Sequence, residues 1–393
     1  MQKKLLALAV ASALAPAAAL AQQSTVEIYG RANLGLDTYE AKGSSIDGNS
    51  YKSRMRVFDQ GSRLGFRVNE SLGGGMRAFV VLETGVNFDR GDNLGQTNTV
   101  ANASSGFWAS RASYAGVGGD WGDVRFGRQD VWWSNGLIAQ TGANYINTAA
   151  DGLTTGGFQA VAVPSTRTPN VASYNSPTFG GFNASVYWAP NGSSDTSSEG
   201  QAFTGTNQKK ANLMAITGRY TGGPFRAQFD WGEHKLQSTD PTPQRKDSGW
   251  KAGVGWAYAP GSQISGVFES LKNQDAPTLF GAAGTVESRK VDMWLLNWEH
   301  MMGQWQLLAQ YAQTGSIKDL SVDPGDTKAK AYTIGAKYFL SKRTGVYASY
   351  NKTTNGAFAW ADYTGGAISS ANLVAANRGA DPQIMAIGVM HNF

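Results

Sequence analysis

Arginine is the residue type whose placement in this chain suggests chemistry. Arg31 falls between Val26/Ile28 and Ala32/Leu34, Arg63 and Arg67 alternate with Leu64, Phe66 and Val68, and Arg77 alternates with Ala78, Val80 and Leu82. Parity puts these cations on the polar face of successive segments. Glu27, Glu83, Asp230 and Glu269 share the polar face and offset part of the charge. Enzyme chemistry has less to work with. The chain has no cysteine, which excludes a disulfide scaffold, a thiolate metal site and a cysteine nucleophile. Its histidines, His234, His300 and His391, lie far apart on different predicted strands. No Gly-x-Ser-x-Gly, His-Glu-x-x-His or phosphate-binding glycine loop occurs. No catalytic residue, metal or cofactor is therefore expected.

The elements that position these arginines are strands. Phe182, Ala184, Val186 and Trp188 interleave with Asn183, Ser185 and Tyr187, and Phe225, Ala227, Phe229 and Trp231 with Arg226, Gln228 and Asp230. Trp250 to Tyr258 and Trp305 to Ala312 repeat the pattern. A period of two means a strand with one apolar and one polar or small face. On this phase Val254 and Leu307 face lipid or a neighbouring subunit, and Lys251 and Gln310 face water. Aromatics make up 11 % of the 393 residues, too many for a disordered chain. The mean hydropathy of −0.32 excludes a bundle of membrane helices.

Connections alternate between short and long. Short ones such as Ser71–Gly75, Gly119–Gly122 and Ser341–Thr344 are rich in Gly, Pro or Ser, as tight turns require. Long polar stretches separate them, among them Gln129–Thr168, Leu236–Ser248 and Lys272–Ser288. Seven short turns and eight long loops predict sixteen antiparallel strands with both ends on the short-turn side, the pattern of a bacterial outer-membrane β-barrel. A periplasmic sandwich or propeller has no reason for that alternation. Nor does it need aromatics at strand ends on the apolar face, where Trp188, Trp231, Trp256, Tyr258, Trp298, Trp305, Tyr311 and Phe393 sit. A sixteen-strand barrel is too wide for side chains to fill and leaves an aqueous channel.

The two ends carry their own signals. Lys3 and Lys4, the apolar run Leu5–Leu14 and Ala19-Leu20-Ala21 predict a secretory signal peptide over residues 1–21, with the barrel occupying 22–393. The sequence pI is about 9.2. Export and the single scattered basic residues nevertheless argue against a nucleic-acid partner. In the last segment Met385, Ile387, Val389, His391 and Phe393 share one face. A terminal aromatic after alternating apolar residues is similar to the assembly signal of outer-membrane barrels, read by the barrel-assembly machinery.

Several short motifs, in order and spacing, carry a wider likeness. They are Ile28-Tyr29-Gly30-Arg31, Ser62-Arg63-Leu64-Gly65-Phe66, Leu72-Gly73-Gly74-Gly75, Gly127-Arg128-Gln129, Tyr174–Phe182, Ser341-Lys342-Arg343-Thr344 and Met390-His391-Asn392-Phe393. Through them the chain resembles the general diffusion porins of β-proteobacteria, the type found in Neisseria, Bordetella, Burkholderia and Comamonas. The resemblance implies a homotrimer in outer-membrane lipid and lipopolysaccharide, each subunit passing small hydrophilic solutes. It implies that the third loop, here about 129–168 with Asp130 and Asp151 as its acids, folds into the barrel as a constriction. It singles out Arg63, Arg111 and Arg167 as the arginine cluster of that constriction, with Arg31 and Arg128 as additions, Glu83 as an inward acid and anions as the preferred solutes. A substrate-selective channel for organic acids or sugars, and a barrel enzyme or adhesin, are the alternatives.

Overall fold

The computed structural model describes residues 24–44, 51–86, 88–89, 108–132, 167–190, 208–209, 211–236, 238–239, 243–282, 284–361 and 378–393. The wall strands, in chain order, are β1 (Thr25–Lys42), β2 (Tyr51–Asp59 and Arg63–Gly73), β3 (Met76–Gly85) and β4 (Ser113–Gly119). They continue with β5 (Gly122–Asp130), β6 (Arg167–Asn175), β7 (Phe182–Pro190) and β8 (Asn212–Gly222). Next come β9 (Phe225–Lys235), β10 (Lys246–Ala259), β11 (Ser262–Pro277) and β12 (Val286–Met302). The last are β13 (Trp305–Thr314), β14 (Ala329–Phe339), β15 (Thr344–Asn355) and β16 (Asp381–Asn392). Seventeen strand segments form one sheet. Tyr51–Asp59 and Arg63–Gly73 both pair with β1, so they are halves of one strand and the wall has sixteen.

The sheet closes on itself. β1 pairs with β2 on one side and with β16 on the other, Arg31 opposite Asn392 through to Lys42 opposite Asp381. Every other pairing is antiparallel between sequence neighbours. Closure removes the sheet edges, so the wall's backbone polar groups are satisfied without water, the condition for crossing a bilayer with strands.

Alternation sets the two faces as expected. Val254 is 66 % exposed and Met385 60 %, both on the outer surface, and Ile387, Val389, Val26 and Ile28 are exposed there too. Toward the short-turn end, Trp256, Tyr258, His300 and Trp298 follow one another at 5.8, 6.0 and 5.7 Å between ring centroids, the first pair tilted and the other two stacked. That is the amphipathic ring surface an interfacial girdle uses. At the β2–β3 turn Gly73, Gly74 and Gly75 take φ of 81, 59 and 76°, a region that strains any residue with a Cβ.

Three features depart from the sequence reading. β2 is interrupted at residues 60–62. There the Asp59 carboxylate accepts from Ser62 N–H (2.9 Å) and the Ser62 hydroxyl accepts from Asn33 N–H (2.9 Å), so side-chain oxygens replace ladder carbonyls. The strands around the expected Lys272–Ser288 and Leu236–Ser248 loops also run longer than predicted. β11 reaches Pro277, β12 starts at Val286 and β10 starts at Lys246. Beyond the bilayer both strand faces can be polar, so the hydropathy signal ends before the backbone pairing does. Gln208–Lys209 and Ser238–Thr239 form a separate two-stranded ladder.

The lumen is partly filled. Val267 and Leu271 of β11, Val291, Met293 and Leu295 of β12, Ala312 of β13 and Ala329 and Ala331 of β14 occupy inward positions and are buried in one apolar cluster. Lys251 and Gln310 point inward as predicted, but they are buried rather than wet: Lys251 lies beneath Trp132, and Gln310 donates to Asn297 (2.8 Å). The expected signal peptide at 1–21 lies outside the described residues, as do residues 133–166 with Asp151.

Candidate pore constriction

Most of the arginines named from sequence meet on the inner wall of β1 to β6. Arg63 opens the second half of β2 and stands in register opposite Arg31. Glu83, inward on β3, accepts from Arg111 Nε (2.5 Å) and from the Tyr29 hydroxyl (3.1 Å), and lies 3.7 Å from Arg63 Nε. Arg111 comes two residues before β4, and its own N–H donates to the Glu83 carbonyl (3.0 Å), which fixes it over the lumen. Across the β5–β6 pair, Arg167 sits in register with Asp130 and donates to it from Nε at 2.8 Å.

These groups act on one another as one cluster. Arg63 interacts electrostatically with Glu83, Arg111 and Arg167. Arg128 does so with Arg167 and Asp130. The register shift at Gly127–Gln129, where Gly127 has a φ of 137°, re-aims the end of β5 as β-bulges do. Arg63, Arg111, Arg128 and Arg167 face the two carboxylates Glu83 and Asp130, which leaves a net charge of two positives. Arg31 flanks this group. Its Nη2 donates to the Gln60 and Gly61 carbonyls at 3.4 and 3.3 Å, and its charge acts on Lys337 and Tyr347 on the other side.

The inward acids occupy different parts of the wall. Glu83 sits inside the arginine cluster and partly neutralises it. Asp230 is bound by the Thr217 hydroxyl (2.6 Å) and Gln228 (2.7 Å), and Glu27 pairs with Arg67 (3.2 Å) nearer the short-turn end.

Glu269 belongs to an arrangement that sequence reasoning missed. Trp132, two residues beyond β5 and 1 % exposed, lies against the opposite wall. Its Nε1–H donates to Glu269 Oε1 of β11 (3.0 Å). Lys251 Nζ of β10 donates to the Trp132 carbonyl (2.5 Å) and lies 4.6 Å from the indole centroid. Lys251 and Glu269 are cross-strand partners, and the indole bridges them. The root of the long connection therefore turns inward and docks across the lumen. A sequence signal existed: Lys251 and Glu269 are lone charges among Gly249, Gly253, Val267 and Leu271 on inward faces.

Comparison with known proteins agrees with this architecture. A family model described as Gram-negative porin matches residues 7–357. The chain is similar to the major outer membrane protein P.IB of Neisseria gonorrhoeae, 30 % identical over 61 % of this chain and 63 % of that one. It is also similar to an outer membrane porin protein of Bordetella pertussis, 25 % identical over 91 % of this chain and 96 % of that one. Among solved structures, an anion-selective porin from Comamonas acidovorans has the same fold, with a TM-score of 0.67 at 21 % identity, covering 94 % of this chain and all of that one. With a closed wall, a docked loop root and that family match in hand, the chain belongs to the Gram-negative porins, a family of outer-membrane channels and not of enzymes.

Proposed function

We propose that this channel passes small hydrophilic solutes and ions by passive diffusion with a preference for anions, set by Arg63, Arg111, Arg167 and Arg128. The observation that carries the reading is the surplus of arginine over carboxylate in the cluster on the inner wall of β1 to β6. Two unit charges 4 Å apart interact by about 1 kcal/mol in bulk water and about 4 kcal/mol at an effective dielectric of 20. A confined positive cluster therefore raises the local anion concentration while water keeps binding weak enough for exit. The name of the Comamonas porin, which calls it anion-selective, supports the same reading. Residues 129–168 act as the constriction loop.

The assembly is a homotrimer in outer-membrane lipid and lipopolysaccharide, exported by the segment 1–21. Support for a protein neighbour comes from the outer faces of β1 and β16. Val26, Ile28, Leu36, Met385, Ile387 and Val389 are exposed there without a tryptophan girdle, unlike the faces of β7 to β13. Phe393 serves recognition by the barrel-assembly machinery; its backbone exchanges hydrogen bonds with Gly30 at 2.9 and 3.1 Å. The test of selectivity is the reversal potential of single channels under a salt gradient. Wild type should favour anions, and the double change Arg63→Glu with Arg111→Glu should shift the potential toward cations at low salt. An unchanged preference in the double variant would refute the arginine assignment.

A further inference from the structure

Beside the arginine cluster lies a second lumenal feature that anion selectivity does not use. A cavity of about 430 Å³ runs along the inner faces of β4 to β8, from Asp130 to Asn175 and Asn183 near the short-turn end. Its volume is within the range of small-molecule sites, about 300–1,000 Å³. Its lining carries Asp123, Asp130, Arg125 and Arg219, two charges of each sign. The acidic and basic groups are also tied to each other or to neighbours. Arg125 binds Asp123 through two bonds of 2.6 and 3.0 Å, Asn175 donates to Asp123 (2.9 Å), and Asp130 holds Arg167. With Asp130 committed to Arg167, the lining keeps Asp123 against Arg125 and Arg219, so its pull on an anion is weaker than that of the arginine cluster.

What it offers is neutral hydrogen bonding. The hydroxyls of Tyr114 and Tyr187 and the amide of Asn183 line the cavity and make no hydrogen bond among the described residues. A hydroxyl donates and accepts, and so does an amide, which matches the hydroxyl groups of a polyol. Arg125 lies over the Tyr114 ring at 5.2 Å and helps hold it in place. The geometry points to a weak binding station for neutral polyhydroxylated solutes of monosaccharide size, on the short-turn side of the constriction. The station loads solute that has already passed the arginines, and it works independently of ion preference.

The test uses glucose as probe. Chloride current through single channels is recorded while glucose is raised, with polyethylene glycol of matching hydrodynamic size as the control for viscosity and exclusion. The expected result is a saturable reduction with glucose and a linear one with the polymer. Tyr187→Phe with Asn183→Ala removes two uncommitted partners and should raise the half-saturating glucose concentration about tenfold. The glucose-free chloride conductance of the variant reports whether the channel is intact, and Tyr187→Phe alone, which keeps the ring, gives a second variant with a smaller shift. Identical linear responses to glucose and polymer in wild type, or unchanged saturation in intact variants, would overturn the station. The reversal potential from the same recordings tests the arginine reading separately.

Discussion

Replacing Lys251 by methionine should loosen the root of the long connection while leaving the sixteen-strand wall closed. The methionine keeps most of the apolar stem but deletes the ammonium that holds the Trp132 carbonyl and covers its indole. It also leaves Glu269, fully buried and bonded to Trp132 by one oxygen only, without its facing cation. Breaking a buried charged contact in this way costs about 3–5 kcal/mol. At about 1.4 kcal/mol per decade, that weakens docking by roughly two to three and a half orders of magnitude. The wall does not share the loss, because its ladder bonds are elsewhere. Single-channel recordings of Lys251→Met should therefore show excess open-channel noise and additional conductance levels, with folded yield close to wild type. Adding Glu269→Gln removes the stranded charge, so the double variant should be quieter than Lys251→Met alone, a non-additivity that reports direct coupling. Traces of Lys251→Met indistinguishable from wild type, or effects of the two changes that simply add, would refute the idea that this clamp fixes the loop.

Three further outcomes are expected. The shift in reversal potential caused by Arg63→Glu with Arg111→Glu should shrink as salt rises from 0.01 to 1 M, because the screening length falls from about 30 to about 3 Å; a salt-independent shift would point to altered pore shape. Val254→Arg places a cation on the lipid face and should cost about 2–4 kcal/mol near the midplane. Val254→Leu should cost little, which equilibrium unfolding in lipid vesicles can check. Phe393→Ala removes the ring that packs over Gly30, so the fraction of folded, heat-modifiable protein in outer-membrane preparations should fall; full recovery would exclude a role in assembly.

The wall was legible because lipid imposes one rule on every strand: alternate residues must be apolar, as Val254 and Trp256 or Met385 and Ile387 are. Turn chemistry supplied the rest, since three consecutive positive φ angles can be met cheaply only by Gly73-Gly74-Gly75. The same rule says nothing where lipid is absent. It missed the outer lengths of β11 and β12, which pair beyond the last apolar residue, and the side-chain bonds of Asp59 and Ser62 that interrupt β2. Parity placed Arg63 and Glu83 correctly on the inner face but could not tell facing across the pore from touching along one wall. The seat of Trp132 was out of reach for another reason. Its partners Lys251 and Glu269 lie 119 and 137 residues away, and no local period encodes such a contact.

That separation also orders the steps by which the barrel forms. The pocket for Trp132 is built from the inner faces of β10 to β14, and it does not exist until those strands have paired and curved. Closing so long a chain segment is entropically slow compared with zipping one hairpin onto the next. The indole can therefore seat only in a wall that is largely complete, which makes docking of the connection a late event in maturation. A freshly paired wall therefore passes through an undocked stage before the Trp132 indole seats.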